Sequence, residues 1–117
     1  MKLMTLTICA ALACATPAFA DYQKVESRAD FIALVSGKTL TRPLVRLQVS
    51  PDGQISGKGA AWPVTGRWQW KDGYLCRSLE WGGDDLGYNC QEVKANGAKV
   101  RITSDRGTGQ SAEFRLR

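Results

Sequence analysis

The chain has 117 residues, with 16 lysines and arginines against 11 aspartates and glutamates, and its net charge is +5. A chain of this length forms one domain, which excludes a complete dinucleotide-binding enzyme, a two-lobed solute receptor and a transporter. The sequence contains no histidine. The Ser-His-Asp and Cys-His catalytic arrangements are therefore excluded, together with the usual general base near neutral pH.

The first twenty residues predict a secretory signal peptide. Lys2 provides a positive start, residues 3–15 are apolar apart from two threonines, and Ala18-Phe19-Ala20 places small residues at a cleavage site. The apolar stretch is shorter than a membrane span requires. We expect residues 1–20 to be removed and residues 21–117 to form a single small β-domain in the periplasm or outside the cell. Loss of Lys2 leaves 15 basic against 11 acidic residues, a net charge of +4.

A lipid anchor is the alternative to this cleavage. Ala11-Leu12-Ala13-Cys14 is similar to a lipobox, but Leu12 lies one position too close to Cys14. The signal that ends at Ala20 is the better formed of the two. We therefore expect a domain that is neither lipidated nor membrane-spanning.

Cys76 and Cys90 are the cysteines that remain after cleavage. Exported proteins fold in an oxidising compartment, where a cysteine pair forms a disulfide by default. Closing a loop of about 15 residues in this way contributes roughly 3 kcal/mol in the chain-entropy model. The spacing is not that of a CxxC redox pair, and no histidine or further cysteine completes a zinc site. We expect a structural disulfide, with no metal and no cofactor.

A short helix is predicted near the start of the mature chain. Ser27 and Asp30 form a capping pattern, and Phe31, Leu34 and Val35 have the i, i+3, i+4 spacing of one apolar stripe. The helix should span about residues 28–36. Because it is too short to be stable alone, its stripe must pack on the rest of the domain.

The remainder of the sequence predicts strands. Apolar and polar residues alternate along segments separated by turn signals, among them Pro51-Asp52-Gly53, Lys71-Asp72-Gly73 and Asn96-Gly97. The predicted strands are residues 45–49, 54–58, 67–70, 74–81, 86–94, 99–103 and 112–117. Short strands at this spacing indicate a mainly β fold, an antiparallel meander of about six to eight strands that forms a small barrel or a sandwich.

The cysteines and the turns together predict a register for the central hairpins. Pairing about residue 83 places Cys76 opposite Cys90, and a three-residue loop at 71–73 places Trp68 opposite Cys76. The resulting face is aromatic and surrounds the disulfide, so we expect it to be core; its members are Trp68, Trp70, Tyr74, Cys76, Tyr88 and Cys90. The opposite face is only partly polar, and either the helix covers its apolar residues or they line a binding surface.

Two tryptophans and two arginines are the candidate ligand-binding residues. Trp62 lies in a segment rich in glycine and alanine, and Trp81 lies on the partly polar face; exposed tryptophan near arginine is typical of sugar or partner binding. Arg77 and Arg106 are the candidate anion partners. Arg106 begins the glycine-rich stretch 106–111, whose backbone N–H groups could hold an anion. The alternatives are that the tryptophans belong to the core and that the stretch is a flexible connection.

Glu80, Asp84 and Asp85 cluster at the hairpin tip formed by Gly82 and Gly83. Carboxylates at such a tip could ligate a hard cation or act as acid and base in glycoside cleavage. The alternative, which we favour, is a solvated turn, because acidic and glycine-rich tips are common in hairpins. We therefore assign no catalytic residue and no metal site.

Basic residues alternate with apolar ones in several of the predicted strands. In a strand, each such pair shares one outward face; the pairs are Arg42 with Arg46, Lys99 with Arg101, and Arg115 with Arg117. If the strands adjoin, these residues form a basic stripe. For an exported protein the matching anions are lipid head groups, lipopolysaccharide or acidic glycans, not nucleic acid. The alternative is the ordinary solvated side of a half-buried sheet.

From Val25 onward the sequence resembles a family of small exported alphaproteobacterial proteins. The resemblance is carried by Gly37-Lys38-Thr39, Ser50-Pro51-Asp52-Gly53, Thr65-Gly66-Arg67-Trp68, Leu75-Cys76-Arg77 and Gly87-Tyr88-Asn89-Cys90. The G-x-W element is also similar to that of lipocalin and avidin barrels. Some proteins of this kind carry the name dihydrodipicolinate reductase. The strand–turn–helix nucleotide site and second domain of that enzyme have no counterpart here, so the resemblance implies no catalytic residue.

Together these observations predict a monomeric, non-enzymatic periplasmic binding module. Its ligand would be an anionic or amphipathic molecule or an envelope protein. One alternative is a cell-envelope glycan hydrolase that uses the carboxylates of residues 80–85. Another is a small inhibitor or accessory subunit that presents the 82–85 tip to a partner.

Overall fold

The computed structural model describes residues 21–117, so the predicted signal peptide and the lipobox-like segment lie outside the described residues. The fold is mainly β, as predicted. Its strands are β1 (Gln23–Lys24), β2 (Leu40–Arg42), β3 (Val45–Val49), β4 (Gln54–Gly59), β5 (Trp62–Lys71), β6 (Tyr74–Trp81), β7 (Asp84–Asn96), β8 (Lys99–Thr103) and β9 (Ser111–Leu116). Its helices are α1 (Arg28–Val35) and α2 (Ser104–Gly107).

Strands β2 to β9 form a closed antiparallel barrel of eight strands. Each strand pairs with the next along the chain, and the ring closes where β2 pairs with β9, with Leu40 opposite Leu116 and Thr41 opposite Arg115. Strand β1 adds to the free side of β7 beyond the start of β6. The predicted choice between barrel and sandwich is thus settled in favour of the barrel.

No helix within residues 21–117 has the length and hydropathy needed to cross a membrane.

Helix α1 covers one end of the barrel. Ser27 caps it by accepting a hydrogen bond from the backbone N–H of Asp30, which confirms the predicted capping pattern. Phe31 is completely buried, and its ring contacts Trp68 edge to face and Trp70 in a stacked arrangement, with centroid distances of 5.1 Å and 5.2 Å. The apolar stripe of the helix therefore completes the core, as its length requires.

The hairpin between β5 and β6 differs by one residue from the prediction. Its loop has two residues, Asp72 and Gly73, both with positive φ, as a type I′ turn requires. Trp68 consequently lies opposite Arg77, not Cys76. Because a shift of one residue moves a strand's side chains to the other face, the predicted aromatic core face is wrong. Trp68 and Trp70 share the interior face of the sheet with Leu75. Tyr88 lies on the outside and is 58% exposed.

The Cys76–Cys90 disulfide is confirmed. The two cysteines lie directly opposite each other on β6 and β7, as predicted, and Cys76 is buried. A register shift beyond Ser78 then places Glu80 opposite Asp85 instead of Leu86. The extra residue bends the end of this hairpin away from a regular ladder.

The glycine-rich connection at 106–111 begins with a short ordered turn. Helix α2 contains Asp105 and Arg106 in left-handed conformation. The backbone N–H of Asp105 donates to Asn89, whose side chain donates back to the Asp105 carboxylate at 2.7 Å. These bonds fix the β8–β9 connection against β7.

Candidate functional site

Trp62 and Trp81 meet at the end of the barrel opposite α1. Trp62 opens β5 and Trp81 closes β6, and their rings lie edge to face with centroids 6.0 Å apart. The Trp81 indole N–H donates to the backbone carbonyl of Gly59 at 2.8 Å. Trp62 remains 55% exposed. The structure therefore brings together two of the four predicted ligand-binding residues.

The two predicted arginines lie elsewhere. Arg77 points to the interior face of β6, is half-buried and donates to the carbonyl of Gly87 at 3.0 Å. Desolvation by burial lowers the pKa of the Arg77 guanidinium below its ordinary value. Arg106 lies 5.4 Å from the ring centroid of Tyr74, which is at the opposite end of β6 from Trp81. The four residues do not converge on one site.

The acidic tip divides between two faces. Glu80 and Asp85 lie directly opposite each other and, with Arg67, line a concave space of about 390 Å³, whereas Asp84 lies opposite Trp81. Asp85 accepts a hydrogen bond from the backbone N–H of Gly87 at 2.8 Å. In the described part of the chain, no three acidic, cysteine or histidine residues come close enough to hold a metal ion.

A larger concave space lies where the outer wall of the barrel meets its end, since Arg42 and Phe114, which belong to the interior face, help to line it. It has a volume of about 820 Å³ and runs across β2, β3, β4, β8 and β9. Six basic side chains line it: Arg42, Arg46, Lys58, Lys99, Arg115 and Arg117. We call this space the basic groove.

The floor of the basic groove is a single row of neighbours across five strands. The pairings place Lys58 opposite Arg46, Arg46 opposite Thr41, Thr41 opposite Arg115, and Arg115 opposite Lys99. Directly opposite residues on antiparallel strands share a face. Since adjacent strands are about 4.8 Å apart, the row is about 19 Å long. We call these residues the basic row.

The cations of the basic row have no carboxylate partners. Among residues 21–117 the ion pairs are Lys94 with Glu92 and Arg101 with Glu113, so none of them involves the row. Glu113 lines the groove, but its carboxylate accepts from the Tyr22 hydroxyl and faces Arg101 at 3.9 Å. The row therefore presents positive charge that the chain itself leaves uncompensated.

Like charges directly opposite each other destabilise a sheet. The row contains two such pairs, Arg46 with Lys58 and Arg115 with Lys99. Thr41 separates them, and its hydroxyl donates to the backbone carbonyl of Arg115 at 3.1 Å. A bound anion would remove the repulsion within each pair, so the arrangement favours ligands with several negative groups.

The sequence indicated part of this site. Alternation identified Arg42, Arg46, Lys99, Arg115 and Arg117, all of which line the groove. The prediction that Arg42 and Arg46 share one face is wrong, because Arg42 lies opposite Val45 and Arg46 lies opposite Thr41. Lys58 was missed because the glycines beside it weakened the strand signal, and Arg101, part of the predicted stripe, instead lies 4.0 Å from the ring centroid of Tyr22. The signal for Lys58 was its position opposite Arg46 in the hairpin around Pro51-Asp52-Gly53.

Comparison of the chain with protein-family models, with curated protein sequences and with solved structures found no match in any of the three.

Proposed function

We propose that the domain is a non-enzymatic binding module of the periplasm or cell exterior, and that its ligand carries several phosphate or carboxylate groups along one dimension. The observation that carries the proposal is the basic row, with four cations in line and no carboxylate partner. The disulfide supports an oxidising compartment, where anionic envelope components are the abundant partners.

The shape of the groove supports an elongated ligand. A row of about 19 Å offers a cation or hydroxyl every 4.8 Å or so, which a small single anion would leave mostly unused. Arginine binds phosphate and carboxylate through two parallel hydrogen bonds, and lysine acts as a point charge. Each end of the row has one arginine beside one lysine. This arrangement suits a ligand with repeated anionic groups.

The test is calorimetric titration of the purified protein with a defined chain of inorganic polyphosphate. The variant Arg46→Gln/Lys58→Gln removes one opposed pair of the row. Arg67→Gln/Lys71→Gln removes one arginine and one lysine from exposed positions on β5, so it matches the change in net charge. We expect the first variant to bind at least tenfold more weakly and the second to bind within about twofold of the unmodified protein.

Raising the salt concentration should weaken polyphosphate binding by the unmodified protein more steeply than binding by Arg46→Gln/Lys58→Gln. The reason is that the variant makes fewer charged contacts that salt can screen. Equal losses in the two double variants would show that net charge alone, and not the row, governs binding. That result would overturn the proposal.

A further inference from the structure

Large exposed apolar side chains are not spread evenly over the barrel. In the part of the chain that the structure describes these are Leu44, Trp62, Trp81, Leu86 and Tyr88. Leu44 lies in the β2–β3 turn, Trp62 follows the β4–β5 turn, and Trp81 precedes the β6–β7 turn. In an up-and-down barrel these three turns lie at the same end, opposite the end that α1 covers. We call Leu44, Trp62 and Trp81 the apolar rim.

Hydrogen bonds hold the three turns of this end together. Leu44 accepts from the backbone N–H of Ala60 at 2.6 Å, and Pro63 accepts from that of Gly82 at 2.9 Å. Trp81 packs on Gly59 and on the ring of Trp62. The apolar rim is therefore built into the fold and is not a set of loose loop tips.

Leu44 is the least expected member of the rim. It is 79% exposed and has a φ of 65°. A bulky residue is unfavourable in this left-handed region, where glycine or asparagine is preferred. Neither burial nor backbone conformation explains a leucine at this turn.

The rim adjoins the basic groove. Leu44, Pro43 and Ala60 line the groove together with Arg46 and Lys58. The carboxylates of the β6–β7 hairpin lie four strands from β2 in the ring of eight, whereas Trp81 and Gly82 of the same hairpin pack on Trp62. Leu44 and Pro43 thus combine exposed apolar groups with positive charge, and Trp62 on β5 lies between them and the acidic hairpin.

We propose that this side of the domain docks on the surface of an anionic lipid bilayer. Leu44 and Trp62 enter the headgroup region, and the nearby part of the basic row faces lipid phosphates. The inference rests on the proposed function and names the source of its anionic groups. Tryptophan prefers the membrane–water interface, and apolar area combined with basic charge is what surface binding to anionic bilayers requires.

The test is flotation of the purified protein with vesicles of phosphatidylcholine containing 30 mol% phosphatidylglycerol, with pure phosphatidylcholine vesicles in parallel. We expect flotation with the anionic vesicles only. The variant Leu44→Asn/Trp62→Gln should reduce the floated fraction at least fivefold. Leu86→Asn is the matched control, since Leu86 is 51% exposed but lies on the acidic hairpin, and it should float like the unmodified protein.

Folding of each variant is checked by its thermal melting curve. Leu44→Asn alone, at an exposed turn whose conformation suits asparagine, provides a second variant that keeps the fold. Flotation that persists in both Leu44 variants, or that Leu86→Asn reduces equally, would overturn docking through the rim. If the protein binds polyphosphate but never floats, the membrane inference alone fails and a soluble or protein-borne anion is the ligand. If it binds neither, the proposed function fails with it.

Discussion

The ring of Phe31 in α1 meets that of Trp68 in β5 edge to face, with centroids 5.1 Å apart. Both residues are buried, so this contact joins the helix to the barrel. Phe31→Ala removes the ring and leaves a cavity that α1 cannot fill, and we expect it to lower the free energy of unfolding by about 3–5 kcal/mol. Urea denaturation measures the change.

Ala33→Ser provides the control for this prediction, because Ala33 lies on the exposed side of the same helix. It should cost about 0.5 kcal/mol or less. A similar loss in both variants would mean that the helix matters through its own stability and not through the contact of Phe31 with the barrel.

The conformation of Leu44 leads to the prediction that replacing this residue stabilises the domain. Asparagine tolerates a positive φ better than leucine does, so Leu44→Asn should raise the free energy of unfolding by about 0.5–1 kcal/mol. A small rise in melting temperature, together with loss of vesicle flotation, would show that stability is given up at this turn for binding. A lower melting temperature would contradict the idea that the leucine is unfavourable for folding.

The disulfide between β6 and β7 leads to a third prediction. Cys76→Ala/Cys90→Ala removes the crosslink without leaving a buried free thiol, and we expect it to lower the free energy of unfolding by roughly 3 kcal/mol. Thermal melting of the unmodified protein with and without reductant provides the comparison. If neither the variant nor the reductant moves the melting temperature, the crosslink does not stabilise the domain.

Glu80 and Asp85 face each other across the β6–β7 ladder. Opposed carboxylates repel, so Glu80→Gln should stabilise the domain by about 0.2–1 kcal/mol at neutral pH. Asp84→Asn is the control, since Asp84 lies opposite Trp81. The gain should also disappear in high salt, where the repulsion between exposed charges is screened in the unmodified protein. Loss of an envelope-glycan cleavage activity in Glu80→Gln would instead support the hydrolase alternative.

Local signals in the sequence predicted the hairpins, the helix and the disulfide. Ser27 with Asp30, the turn dipeptides and the apolar alternation act over a few residues, and the structure contains the elements that they specify. The β5–β6 register was mispredicted because Lys71-Asp72-Gly73 fits both a three-residue loop and a two-residue Asp-Gly turn. That one residue decided whether Trp68 faces Cys76 or Arg77.

The candidate site depends on pairings that a sequence pattern does not specify. Thr41 lies opposite Arg115, 74 positions further along the chain, only because the barrel closes between β2 and β9. Alternation could show that Arg46 and Arg115 point outward, but closure makes them members of one row. The contact between Trp62 and Trp81 was not predicted from the sequence, and the resemblance to exported alphaproteobacterial proteins stays a prediction.

The four tryptophans fall into two environments, with Trp68 and Trp70 against Phe31 and with Trp62 and Trp81 at the rim. Indole emission shifts to shorter wavelength when the ring leaves water. Unfolding would therefore shift the emission of Trp68 and Trp70 to longer wavelength. Contact of the rim with an apolar surface would shift the emission of Trp62 and Trp81 to shorter wavelength. The barrel thus contains two intrinsic fluorophore sets that report on folding and on surface contact separately, without any added label.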